Sequence, residues 1–198
     1  MVQVRILHPA ATGPLRWGAR LLFATGLACL ALFVWYIFEA SYFQWELSHK
    51  FDEQRKASSS QDEDLVGRLE IPRIGLDVMV LNGVDPATLR RSAGLVPDTA
   101  RPGKAGNVAI AAHRDTYFRP LRQVKEGDFI QITTLGGRYY YRVQWTAVVG
   151  PGDTSVLGPT GKPSLTLITC YPFYYVGEAP QRFIVRASQE EARPAGSD

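Results

Sequence analysis

Cysteine is almost missing from this chain of 198 residues, with two in all, and histidine is scarce, with three. Two cysteines cannot staple a small secreted scaffold or build a cysteine-rich zinc site. No repeat of about 20–50 residues is visible, which excludes solenoids and propellers. An excess of one charge is lacking over most of the chain as well. Lys and Arg number 22 against 19 Asp and Glu, but Arg5, Arg16 and Arg20 fall in the first 38 residues, where there is no acid. From residue 39 onward 19 basic residues therefore face 19 acidic ones. A neutral body has no basic footprint for a phosphate backbone, so no nucleic-acid partner is expected. Disorder is excluded too, because hydrophobic residues reach 45% and charged residues only 21%.

One stretch carries no charge at all. Residues 21–38 read LLFATGLACLALFVWYIF, 18 residues long, which reaches the lower end of what spans a hydrocarbon core of about 30 Å. Trp17 lies before it, and Trp35, Tyr36, Tyr42 and Trp45 lie at or beyond its end, where amphipathic rings favour the headgroups. Arg16 and Arg20 flank the first side, and no Lys or Arg follows until Lys50. The positive-inside bias predicts a cytoplasmic segment 1–20, a single transmembrane anchor at 21–38 and export of the rest. The run exceeds the roughly 7–15 residues of a signal-peptide core, and Glu39-Ala40-Ser41-Tyr42 makes a poor cleavage site. Cys29 inside it reads as a small lipid-facing residue.

Residues 39–64 form a linker. The helix is expected to continue through 39–48, and 48–64 (SHKFDEQRKASSSQDED) holds one aromatic and no aliphatic larger than Ala. His49 there is a solvated side chain. From Leu65 the texture becomes β-like, with runs at 66–71, 76–81, 107–113, 129–134, 139–148, 165–170 and 183–187, bounded by Gly, Pro, Asn or Asp. Gly136-Gly137 signals a hairpin. Asp85 and Pro86 predict a short helix over 86–92, and 118–123 a further turn. The expected fold class is all-β: one closed barrel or sandwich over 65–188 with one or two short helices behind the transmembrane helix, and a tail at 189–198.

Three strand ends carry chemistry: Ala111-Ala112-His113-Arg114-Asp115, Thr166-Leu167-Ile168-Thr169-Cys170, and Arg182 at the start of the last run. Each taken alone has a plain structural reading as a packed thiol, a rim imidazole or a solvated cation. Together they say more. Cys170 is the only cysteine outside the apolar run, in a compartment that oxidises thiols, with no disulfide partner there. A thiolate attacks, an imidazole moves its proton and protonates a leaving amine, and a guanidinium can hold a developing oxyanion. That set suffices for amide cleavage through a thioester. No His follows Cys170, which excludes papain-like order; two-barrel and α/β-sandwich cysteine proteases need more chain or more helix.

These residues resemble a known family. Thr166-Leu-Ile-Thr169-Cys170 is similar to the T-L-x-T-C signature of sortases, and Ala112-His113-Arg114 and Arg182 fit its other two positions. The stretches 113–121 (HRDTYFRPL) and 170–185 (CYPFYYVGEAPQRFIV) are similar to class D members. Ala111 stands where many members have Gly, and the Asp-Pro-aromatic lid of class C is absent from the linker. The resemblance implies an eight-stranded sortase-type barrel outside the membrane. It implies Cys170 as nucleophile on an LPxTG-like sorting signal of a secreted protein, and His113 as acid and base. Arg182 becomes the oxyanion and peptide-orienting group, with Thr169 beside the nucleophile as a substrate-side hydrogen-bonding residue. The acyl group passes to an amine such as a peptidoglycan precursor or a pilin Lys, and residues 149–163 correspond to a segment that holds the signal peptide. No cofactor is implied; some relatives bind Ca2+, and no compact acidic cluster here marks a metal site. Two rivals stand beside this reading. An L,D-transpeptidase-like cell-wall enzyme would need a Ser/His-x-Gly-Cys run, where this chain has Leu-Ile-Thr before Cys170. A membrane-tethered β-barrel binding module would bury Cys170. The folded protein should therefore react with a methanethiosulfonate reagent at Cys170; a thiol that labels only after denaturation would favour the binding module.

Overall fold

Alternation of apolar and polar side chains over short runs builds strands with one packed face, and a sheet of such strands buries that face by closing on itself. The computed structural model describes residues 13–57 and 64–190. Residues 1–12 of the expected segment 1–20, 58–63 of the expected linker 39–64 and 191–198 of the expected tail 189–198 lie outside the described residues. The strands are β1 (Leu65–Ile71), β2 (Leu76–Asn82), β3 (Ala93–Leu95), β4 (Asn107–Ala111), β5 (Phe129–Thr134), β6 (Gly137–Val149), β7 (Ser164–Tyr171) and β8 (Gln181–Glu190). They close into a barrel in the order β1-β2-β3-β4-β7-β8-β6-β5. Pairing is parallel between β2 and β3 and between β4 and β7, and antiparallel elsewhere. The barrel interior is filled, chiefly by Leu69, Ile71, Val80, Ile110, Ile130, Ile132, Leu165, Leu167 and Val185. It is a packed core with no channel, as expected for eight strands.

The chain forms two units, Met1–Tyr42 and Phe43–Asp198. The helix α1 (Gly13–Ala57) belongs to both. In the first unit its segment Trp17–Trp35 has a mean hydropathy of 1.8 and no buried residue, long and apolar enough by length and composition to cross a membrane. In the second unit α1 runs on through most of the expected polar linker, and two residues explain why. Leu47 and Phe51, four apart on one helix face, pack with Leu65 and Met79, and Phe51 is only 1% exposed. Gln44 adds a polar tie by accepting from the Met79 N–H at 3.1 Å. Its amide also donates to the Arg91 carbonyl.

Between β2 and β3 lies the short helix α2 (Pro86–Arg91). Asp85 caps it, accepting from the N–H groups of Ala87 and Thr88 at 2.9 and 3.1 Å and from the Thr88 hydroxyl at 2.6 Å. These bonds, the Thr88 hydroxyl first among them, hold the Asp85 carboxyl below the usual carboxylate range. The helix returns the chain so that β3 pairs parallel to β2. Three residues, Ala-Gly-Leu, are too few to show a periodicity, and β3 is the strand that sequence patterning does not reveal. Its glycine is required by a close approach: a Cβ on Gly94 would lie 2.1 Å from the Gly83 carbonyl oxygen. Gly94→Ala should destabilise the barrel by about 1–3 kcal/mol through overpacking. Equilibrium urea unfolding measures it, and an unchanged midpoint would show that the β2–β3 seam yields freely.

Candidate active site

Strand register decides where the three strand-end residues go. Ala111 of β4 pairs with Ile168 of β7, and the Ala112 N–H continues the ladder to the Ile168 carbonyl at 3.2 Å. His113 follows two residues after the end of that ladder and lines the same cleft as Cys170. Cys170 is itself paired with Arg182 of β8. An imidazole just beyond the end of β4 thus meets a thiol on β7 and a guanidinium on β8.

Side-chain alternation decides which face they occupy. Leu165 and Leu167 point into the core beside Val108, Ile110, Val185 and Ala187. With a period of two, Thr169 continues the inward set and Cys170 belongs to the outward one. The site is therefore on the outside of the barrel wall. His113, Cys170 and Arg182 line one cleft of about 560 Å³. Pro151 of the segment between β6 and β7 borders it, as do Gly177, Glu178 and Ala179 of the segment between β7 and β8. His113 is exposed and Cys170 and Arg182 are half-buried. Among the described residues neither the imidazole nor the thiol carries a hydrogen bond to protein. The Arg182 Nη1 group donates to the carbonyls of Ala179 and Gln181 at 3.2 and 3.0 Å. This fixes the guanidinium at the cleft edge and leaves Nη2 and Nε as donors for a guest.

Thr169 takes a different place. It is 2% exposed, and its hydroxyl donates to the Ala112 carbonyl at 2.7 Å. It does not line the cleft; it ties β7 to the residue before His113. The turn after His113 is fixed in turn by Phe118, whose N–H donates to the His113 carbonyl at 3.0 Å and whose ring is fully buried.

At the far end of the same outer face, polar groups are buried under the segment 150–163. Asn107 Nδ2 and Arg186 Nη2 both donate to the Val156 carbonyl, at 3.0 and 2.8 Å, and the Thr166 hydroxyl donates to Asn107 Oδ1 at 2.6 Å. Burial pushes the Arg186 guanidinium below its ordinary pKa, while Trp145 lies against it at 5.6 Å. The network presses residues 150–163 onto β4, β7 and β8 and so limits the cleft to the end where Cys170 lies. Sequence patterning marks Arg114 and Asp115 only as part of the His113 strand end, with no role of their own, and gives none to Asn107, Arg186 or the cleft-lining Glu178. Asn107 opens the strand leading to His113, and a polar residue at the start of a small apolar run was the available signal. Among the described residues no group of three or more His, Cys, Asp or Glu is arranged to hold a metal ion.

A single closed barrel with a thiol, an imidazole and a guanidinium lining one open cleft is the arrangement to set beside known proteins. Residues 69–190 match the Sortase domain family model. The chain belongs to the sortase family, whose members are cysteine transpeptidases. It is 36% identical over 120 residues to Sortase D of Bacillus subtilis, covering 60% of this chain and 61% of that protein. Among solved structures it is similar to a sortase D5 transpeptidase of Clostridium perfringens, with a TM-score of 0.63 and 28% identity over 76% of this chain and 97% of that one. It is also similar to Sortase A from Corynebacterium diphtheriae, with a TM-score of 0.63 and 34% identity over 68% of this chain and 65% of that one. The expected eight-stranded sortase-type barrel and the class D likeness agree with these findings.

The Thr169 tie can be tested without any substrate. Thr169→Val keeps the shape but orphans the buried Ala112 carbonyl, and should cost about 1–3 kcal/mol in urea unfolding. Thr169→Ser keeps the donor and should cost less. Equal losses in the two variants would assign the effect to packing.

Proposed function

We propose that this protein is a membrane-anchored sortase that cleaves an LPxTG-like sorting signal on a secreted protein and joins its acyl part to an envelope amine. The observation that carries this reading is the convergence of His113, Cys170 and Arg182 on one open cleft. Cys170 Sγ, as thiolate, attacks the carbonyl of the signal's Thr. The tetrahedral oxyanion is held by the free donors of Arg182. His113, protonated, gives its proton to the departing amine, which leaves a thioester on Cys170 and a neutral imidazole. An incoming amine, from a peptidoglycan precursor or a pilin Lys, then attacks the thioester while His113 takes its proton. The product is a new amide, and the thiolate and protonated imidazole return.

Thr169 supports this chemistry from inside the wall by fixing Ala112, and so the approach of His113, to the strand that carries Cys170. Residues 150–163 form the surface on which the peptide is held. Residues 21–38 of helix α1 serve as a signal anchor, with residues 1–20 cytoplasmic and the barrel outside. An anchor of this kind keeps enzyme, membrane-retained substrate and lipid-linked acceptor on one surface and raises their effective concentrations.

Mass spectrometry of the protein mixed with a library of L-P-x-T-x peptides should show an acyl adduct on Cys170. Cys170→Ala should give no adduct yet keep its fold, and His113→Ala should lose nearly as much turnover. Arg182→Lys keeps the charge without the planar fork and should lose about 10²-fold, the scale of one oxyanion donor. The pH–rate profile should be a bell, because the thiol must be deprotonated while the imidazole is protonated. A flat profile between about pH 6 and 9, or an adduct elsewhere than on Cys170, would overturn the assignment.

A further inference from the structure

Residues 172–180 link Cys170 to Arg182 and form one wall of the cleft, yet packing does little to hold most of them. Every residue from 174 to 178 is exposed, Val176 at 98%. A segment that buries so little should open locally at low cost. Most of its polar ties come from one cation. Arg114, the residue after His113, donates through Nη1 to the Pro172 carbonyl at 3.1 Å and through Nη2 to the carbonyls of Tyr175 and Gly177 at 2.9 and 3.2 Å. Its guanidinium also lies 5.7 Å from the Tyr175 ring centre. A second arginine of the β4–β5 connection, Arg122, lies 5.6 Å from the Tyr174 ring. With three carbonyls bound to Arg114, Tyr174 and Val176 remain exposed. At the other end of the segment Arg182 holds the Ala179 carbonyl.

We propose that Arg114 is a positioning residue, a clasp that holds residues 172–177 against the His113 turn and so shapes the wall of the cleft on which the peptide is bound. This rests on the acyl-transfer reading of the cleft. Three of the five guanidinium N–H donors are taken by carbonyls, which favours a structural clasp over a site for a substrate carboxylate. The fork is essential, because a Lys ammonium is a point donor that does not present three directions in one plane. The clasp joins the chain just after the imidazole to the chain just after the thiol, so the cleft wall and the His113 turn move together.

The test uses the full chain in detergent, with a quenched fluorescent peptide of the L-P-x-T-x sequence that gives the strongest adduct on Cys170. Arg114→Ala should raise KM by about tenfold or more while kcat changes much less, the sign of lost ground-state positioning. Chymotrypsin cleavage after Tyr174 or Tyr175, read by mass spectrometry under native conditions, should speed up by about tenfold or more, with the thermal midpoint of the barrel unchanged. Arg114→Lys should recover only part of both effects. Unchanged cleavage at Tyr174 and Tyr175 in Arg114→Ala would overturn the clasp, and so would a fall in kcat at constant KM, which would place Arg114 in the chemistry itself. Should the wild-type chain turn over no peptide, the failure belongs to the acyl-transfer reading, and the cleavage arm alone decides on Arg114.

Discussion

The parallel pairing of β4 with β7 is the constraint from which the site follows. Those strands are far apart in the chain, and nothing local obliges them to meet in this register. Buried polar groups fix it. A slip by one residue would carry Asn107 away from Thr166 and would turn Thr169 outward, leaving donors and carbonyls without partners in a dry environment. Apolar contacts inside the barrel favour closure but tolerate exchange among aliphatics of similar size. Hydrogen bonds across the wall do not tolerate a change of register, so they specify which residue stands opposite Cys170.

The two faces of the wall have different duties. Odd-numbered residues of β7 pack the interior with their partners on β4 and β8, and even-numbered residues face outward. Toward one end that outer row is polar and covered, through Asn107, Thr166 and Arg186; toward the other it is open, through His113, Cys170 and Arg182. These three side chains need not be desolvated in a core to be brought together. Rigid strands position them from behind, and two connecting segments wall them from the front.

Much of this was legible in the sequence because it rests on local patterning. The apolar run, the period-two strands, the Asp85 cap and the three strand-end residues can all be read in windows of ten residues or fewer. Thr169 shows the limit of that reading. Adjacency to Cys170 suggested a group facing a substrate, whereas strand alternation sends neighbouring side chains to opposite faces, and its hydroxyl is spent inside the wall. Asn107, Arg114 and Arg186 escaped for a related reason. Each acts on a carbonyl 30 to 63 positions away in the chain, and a backbone acceptor leaves no trace in residue identity. The extension of α1 through a polar stretch depended likewise on Leu47 and Phe51 finding Leu65 and Met79.

The division of β7 into inward and outward residues bears on how such a scaffold can diversify. A lineage could exchange the connections at 150–163 and 172–180, or recolour the outer row, without reopening the packing problem solved by the interior. Selectivity and foldability are thereby inherited on separate positions of the same strand, and grafting experiments can treat them as independent variables.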